Sequence, residues 1–145
     1  MRTTLLLIGM LNLFIAPVLM GQTSEASELE LITATLMNYI DGTADGDAER
    51  IKKAFHADLN LYTVEDGSLS ARSGQKYISY FEDGEKRNRI GSIVSIDYEN
   101  DAAMAKIKVI MPGAKRIYTD YLLLLKVEGE WKIIHKSYTF VPYPD

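Results

Sequence analysis

An α+β domain is predicted by the point at which the hydrophobic period changes along this chain. Before about residue 83, apolar residues recur mostly at three- and four-residue spacing, which marks one face of a helix. From Arg89 onward they recur at every second residue, the spacing of a half-buried strand. A third observation fixes the end of the sheet: two apolar runs flank Glu128-Gly129, a two-residue hairpin turn. Helices segregated before an antiparallel sheet define the α+β class.

The helical part reads as three elements. Ser24 or Ser27 can cap the first, whose opening turn carries Glu25, Glu28 and Glu30, acids that suit the positive end of a helix dipole. Leu29, Ile32, Leu36, Met37 and Ile40 share a face, and a stop is expected at Asp41-Gly42. Asp45-Gly46-Asp47 restarts a short second helix with Ile51, Ala54 and Phe55 inward, ending at His56-Ala57-Asp58. Residues 59–64 alternate as a strand, closed by Glu65-Asp66-Gly67. Ser73-Gly74 precedes a third helix from Gln75 to about Asp83, with Tyr77, Ile78 and Phe81 as its apolar positions.

Four strands follow: 90–98, 103–111, 117–127 and 130–141. Their breaks at Glu99-Asn100-Asp101, Pro112-Gly113 and Glu128-Gly129 are all turn chemistry. Trp131 sits beside the last turn and alternates with Ile133, so it should be buried and should anchor the hairpin on the first helix.

The first 21 residues stand apart from this pattern. One basic residue, Arg2, precedes an almost wholly apolar run from Leu5 to Met20, then Gly21 and a polar stretch. That is the layout of a secretory signal peptide cleaved after Gly21, with an uncleaved N-terminal anchor as the alternative. The expected domains are therefore 1–21, signal peptide, and 22–145, a single domain, secreted or periplasmic. Without Arg2 the mature chain has 15 basic and 20 acidic residues, a net charge of −5. A mildly acidic chain without a basic cluster has no electrostatic footprint for nucleic acid or an anionic membrane. There is no cysteine, which excludes disulfides, thiol chemistry and a lipid-modified N-terminal cysteine.

The run Tyr39-Ile-Asp-Gly-Thr-Ala-Asp-Gly-Asp-Ala-Glu-Arg-Ile-Lys-Lys-Ala-Phe-His-Ala-Asp58 resembles the N-terminal signature of the nuclear transport factor 2-like superfamily. It is most similar to the branch labelled putative lumazine-binding, or SnoaL-like. Asp120-Tyr-Leu-x-Leu-Leu-Lys and Gly129-x-Trp-Lys-Ile-Ile-x-Lys136 resemble the branch's second signature. The resemblance covers nearly all of residues 22–145. It implies a cone-shaped fold, a strongly bent antiparallel sheet wrapped around three helices with a pocket at one end. It also implies a homodimer through the outer sheet face, for which Tyr121 and Leu123 are the candidate contacts.

Motif chemistry is sparse. There is no nucleophile elbow, Walker loop, dinucleotide glycine motif or His-Glu-x-x-His. Asp41-x-Thr43-x-Asp45-Gly46-Asp47 looks like the start of a calcium loop, but Thr43 and Lys52 stand where acids belong. Two histidines without a third ligand do not make a zinc site, and no metal or cofactor is expected.

The resemblance implies that an acid inside the apolar cone, its pKa raised by desolvation, would be the catalyst if there is one. Asp97 and Asp120 are the candidates, with Asp58 behind them. His135, sharing a strand face with Trp131 and Ile133, is the third, although for His135 and His56 alike the favoured reading is a satisfied structural residue. Counting outward from Glu128-Gly129 places Asp120 opposite Ser137, one position from Lys136, so Asp120 can also be that lysine's structural partner. The ligand-binding candidates are Tyr39, Phe55, Tyr62, Tyr77, Phe81, Tyr118 and Tyr138, with at most two ionisable groups among them. Amphipathic rings in a concave site suit a small apolar or aromatic molecule. The same rings could be ordinary sheet packing. Three functions follow: an exported small-molecule-binding protein, a cofactor-independent enzyme of the cyclase, isomerase or dehydratase kind, or a dimeric interaction module with a filled cone.

Overall fold

The computed structural model describes residues 26–144. The expected signal peptide lies outside the described residues. Three helices pack against a strongly curved six-stranded sheet that does not close on itself.

Helix α1 spans Glu28–Asp45 and starts at a capping box: the Ser27 hydroxyl accepts from the Glu30 amide, and the Glu30 carboxylate accepts from the Ser27 amide. Ile32, Leu36, Tyr39 and Ile40 form its buried stripe, whereas Leu29 is exposed. The expected stop at Asp41-Gly42 is a continuation. Gly42 lies inside α1 at its contact with the next helix, where a Cβ would come 2.9 Å from Ile51 Cγ1. The helix ends at Gly46, which has a φ of +71° and no room for a Cβ: the Glu85 carbonyl oxygen would be 2.3 Å away.

Helix α2, Ala48–Ala54, is capped by the Asp47 side chain and buries Ile51 and Ala54. The chain turns directly into strand β1, Phe55–Glu65, so His56-Ala57-Asp58 belongs to the strand and not to a helix end. Strand β2, Ser68–Ser73, was not foreseen: its one large apolar residue, Leu69, is exposed at the sheet edge. Helix α3, Gly74–Ile78, runs into a 3-10 turn at Ser79–Phe81 and buries Tyr77 and Phe81.

Strands β3 (Ile90–Glu99), β4 (Ala102–Met111), β5 (Arg116–Val127) and β6 (Glu130–Pro142) form an antiparallel meander close to the expected boundaries. The strand order is β2-β1-β6-β5-β4-β3. One pair, β1 with β6, is parallel, so the sheet is mixed.

The inner face of the sheet contributes Leu59, Leu61, Ala103, Ala105, Ile107, Val109, Leu122, Leu124, Trp131 and Ile133 to a core shared with the helices. Trp131 is 3% exposed, and its indole N–H donates to Glu28 Oε2 at 2.7 Å. The Thr35 hydroxyl donates to the Trp131 carbonyl at 3.1 Å, so the hairpin is tied to α1 as expected.

The β5–β6 ladder carries the irregularity that shapes the site. Val127 pairs with Glu130 and Leu124 with Ile133, as counting from the turn requires. Leu123 then pairs with His135, so Ile134 is an extra residue in a β-bulge. Because side chains alternate with period two, one extra residue inverts every later facing. The bulge turns His135 to the outer face and Lys136 inward.

Candidate functional site

The bulge brings Lys136 into the cone beside Asp120. Asp120 pairs in register with Tyr138, not Ser137, which puts Lys136 two positions away on the same face. Asp120 is 0% and Lys136 4% exposed. Asp120 Oδ2 accepts from Lys136 Nζ at 2.8 Å and from the Tyr39 hydroxyl at 2.7 Å. Lys136 Nζ also donates to the Tyr39 hydroxyl, which closes a three-membered network. Asp120 Oδ1 is buried without a partner.

The network forms one wall of a cavity of about 170 Å³ bounded by Leu61, Arg72, Tyr77, Arg89, Met111, Tyr118, Asp120, Lys136 and Tyr138. Strands β1, β2, β4, β5 and β6 supply most of these residues, α3 supplies Tyr77, and the chain entering β3 supplies Arg89. The Lys136 ammonium stands 4.8 Å from the ring centre of Tyr39, 5.2 Å from that of Tyr138 and 5.3 Å from that of Tyr77. Cation–π attraction to three rings adds to the ion pair.

Of the seven ring positions expected to line a pocket, the structure brings Tyr77, Tyr118 and Tyr138 to the cavity. Tyr39, Phe55 and Phe81 fill the neighbouring core instead. Their rings form a continuous chain of contacts with Tyr77: Tyr39 to Phe55 at 5.4 Å, Phe55 to Tyr77 at 6.0 Å, and Tyr77 to Phe81 at 5.2 Å between ring centres. Tyr62 faces outward and stacks on His135 at 5.1 Å.

The catalytic candidates separate in the same way. Asp120 faces the cavity. Asp97 is exposed on β3, and His135, bonded to the Ser137 hydroxyl at 2.7 Å, lies on the outer face because of the bulge. Asp58 is exposed. Among the described residues, no three His, Cys, Asp or Glu side chains converge on a metal-sized gap.

The expectation of at most two ionisable groups is corrected by Arg72 and Arg89, which join Asp120 and Lys136 at the cavity. Neither arginine carried a sequence signal for a site: Arg72 lies on the unforeseen edge strand, and Arg89 marked only the point where the strand spacing begins. Lys136 was placed beside Asp120 by counting, but its burial depends on a bulge that counting could not show.

The charges act on the phenols. Burial, then the neighbouring Asp120 carboxylate, pushes the Tyr39 hydroxyl well above its ordinary pKa, so it remains a donor. Burial also pushes Tyr77 up, but Lys136 and Arg89 outweigh it and hold that phenol below its ordinary value. Burial raises Tyr138. The Arg89 guanidinium is held above its ordinary value: burial opposes the charge, and Tyr77, Tyr39 and Asp120 favour it. The cavity therefore combines a fixed hydrogen-bond donor, a phenol held below its ordinary pKa and a cationic wall. Such groups can orient a polar ligand atom and give or take a proton.

A family model described as Putative lumazine-binding matches residues 27–139. Aldolase FrzH from a Cladobotryum species is 26% identical over 124 residues, covering 85% of this chain and 99% of that protein. A nuclear transport factor 2-like protein of unknown function from Shewanella baltica superposes with a TM-score of 0.70 at 25% identity, covering 81% of this chain and 99% of its own. A protein described as a putative ketosteroid isomerase, from Shewanella frigidimarina, superposes with a TM-score of 0.57 at 16% identity, covering 75% and 94%.

Proposed function

The chain belongs to the Putative lumazine-binding family of nuclear transport factor 2-like proteins, and from that premise we propose that it is an exported protein holding a small, flat aromatic molecule in the cone. The observation that carries this reading is the cavity between Tyr77, Tyr118 and Tyr138, open beside an otherwise filled core. A space of ~150 Å³ accepts one benzene-sized ring, so about 170 Å³ suits a single substituted ring. Export rests on the signal layout of residues 1–21. A homodimer through the outer sheet face is part of the same proposal. Met104 (53% exposed), Tyr121 (49%) and Leu123 (47%) form an apolar patch there, with Met104 directly opposite Leu123.

Native mass spectrometry of protein purified from its own host reads all three points. The expected species has a mass starting after Gly21, two protomers and one small bound molecule per protomer. A protomer always free of ligand, both as purified and after incubation with host small-molecule extract, would remove the binding function.

A second reading is favoured by the Tyr77, Lys136 and Asp120 groups facing that cavity, and by the aldolase named among the relatives. In it the ligand is an enolisable carbonyl compound, and the site moves a proton at the carbon beside the carbonyl. Incubated in heavy water, phenylacetone should then take up deuterium next to its carbonyl faster with the wild type than with Asp120→Asn. Equal rates would discard this reading and leave the binding role.

A further inference from the structure

The cavity carries positive charge that its own chain does not balance. Lys136 is matched by Asp120 at 2.8 Å. Arg72 and Arg89 have no carboxylate within ion-pair distance among the described residues; Arg72 lies over the Tyr80 ring at 5.5 Å. The hydrogen-bond contact of Arg89 is a long one, 3.5 Å from Nη1 to the Tyr77 hydroxyl, and its Nε is buried with no partner. A shielded guanidinium with an unused N–H is costly unless a ligand supplies the acceptor. Lining the same cavity, Asp120 Oδ1 is an acceptor with no donor. The rings of Tyr77, Tyr118 and Tyr138 and the apolar side chains of Leu61 and Met111 line the rest of the cavity with Arg72 and Lys136.

A molecule that repairs both defects has an anionic acceptor at one end and a hydroxyl donor at the other. A flat body between them suits the aromatic walls. An arginine fork matches a planar carboxylate, two oxygens to two N–H groups, better than it matches a neutral carbonyl. We propose that the cavity binds a small hydroxyaryl carboxylate, its carboxylate on Arg89 with Arg72 adding charge, and its hydroxyl donating to Asp120. This rests on the binding role proposed above and adds the ligand's charge and polarity to it.

The test is calorimetric titration of full-length mature protein, stripped of any co-purified molecule by unfolding and refolding. The probes are 4-hydroxybenzoate, 4-hydroxybenzamide and inorganic phosphate. The acid should bind at least about tenfold more tightly than the amide, which has the same shape without the charge. Arg89→Gln should bring the two affinities close together, and Arg72→Gln should narrow the gap less. Circular dichroism and a thermal melt show whether each variant is folded; if Arg89→Gln is not, the wild-type acid-to-amide ratio decides alone. Equal binding of acid and amide overturns the carboxylate assignment and leaves the binding role intact. Phosphate competing with 4-hydroxybenzoate at equal concentration also overturns it, since the site would then read charge without an aromatic body. Absence of binding by either aryl probe overturns it too, and the mass spectrometry described above then decides the binding role separately.

Discussion

Replacing Asp120 by Ala should destabilise the domain by about 3–5 kcal/mol, read as the shift of the urea midpoint. The replacement removes a carboxylate from beside the ammonium of a lysine that is only 4% exposed. It also takes the acceptor from the Tyr39 hydroxyl. Lys136→Met should cost a similar amount for the opposite reason, an uncompensated buried carboxylate. The double variant Asp120→Leu/Lys136→Met should lose less than either single variant, because neither desolvated charge remains. Losses that simply add would mean the two groups are not coupled, contrary to the 2.8 Å contact. An exposed cross-strand pair would be worth only ~0.2–1 kcal/mol. The difference comes from where the bulge puts the lysine.

Trp131→Ala should cost about 3–5 kcal/mol in the same assay, the range for deleting a buried large aromatic. The side chain packs in the core and its N–H is one of two donors, with Lys126, that hold Glu28. Those hydrogen bonds, from Lys126 first and then Trp131, lower the Glu28 pKa below 4.5. A carboxylate with a depressed folded pKa adds stability that is present above its unfolded pKa, near 4.5, and is lost as pH falls through the folded value. The gap between wild type and Trp131→Ala should therefore be widest near pH 7 and narrow on acidification below 4.5. Trp131→Phe, which keeps most of the packing and loses the N–H, should show the pH-dependent part with little of the rest. A gap that stays constant from pH 7 to pH 3 would show that Glu28 does not contribute through the indole.

The architecture was legible where one rule governs one segment. The switch from helical to strand spacing near Arg89 and the turn chemistry at Glu128-Gly129 set the α+β order and nearly all of the later strand boundaries. Gly42 misled because a glycine in a helical pattern reads as a stop, while its role is to let α2 approach α1. Strand β2 lacked alternation because an edge strand with both faces largely exposed need not be apolar.

The site was legible in part. Asp120 was named because the family resemblance implies an acid inside the cone. Lys136 was found as its neighbour. His135 and Tyr62 were expected in the cone and stand outside it. For His135 the cause is Ile134, a residue with nothing in its chemistry to announce a bulge. Arg89 belongs to a polar segment, and only the folding of that segment over Phe81 and Tyr77 brings it to the cavity.

The strand order also sets the order of events in time. β1 lies between β2 and β6, and β6 is the last strand in the chain. The β1–β2 hairpin has no sheet to join until residues 130–142 exist. A two-stranded hairpin alone is marginal in water, and pairings this distant in sequence form slowly. The β1–β2 hairpin therefore stays without its sheet partner until the strand that carries Lys136 has been made. A chain emerging from a ribosome in that condition cannot complete its core, and remains threadable, until β6 has emerged.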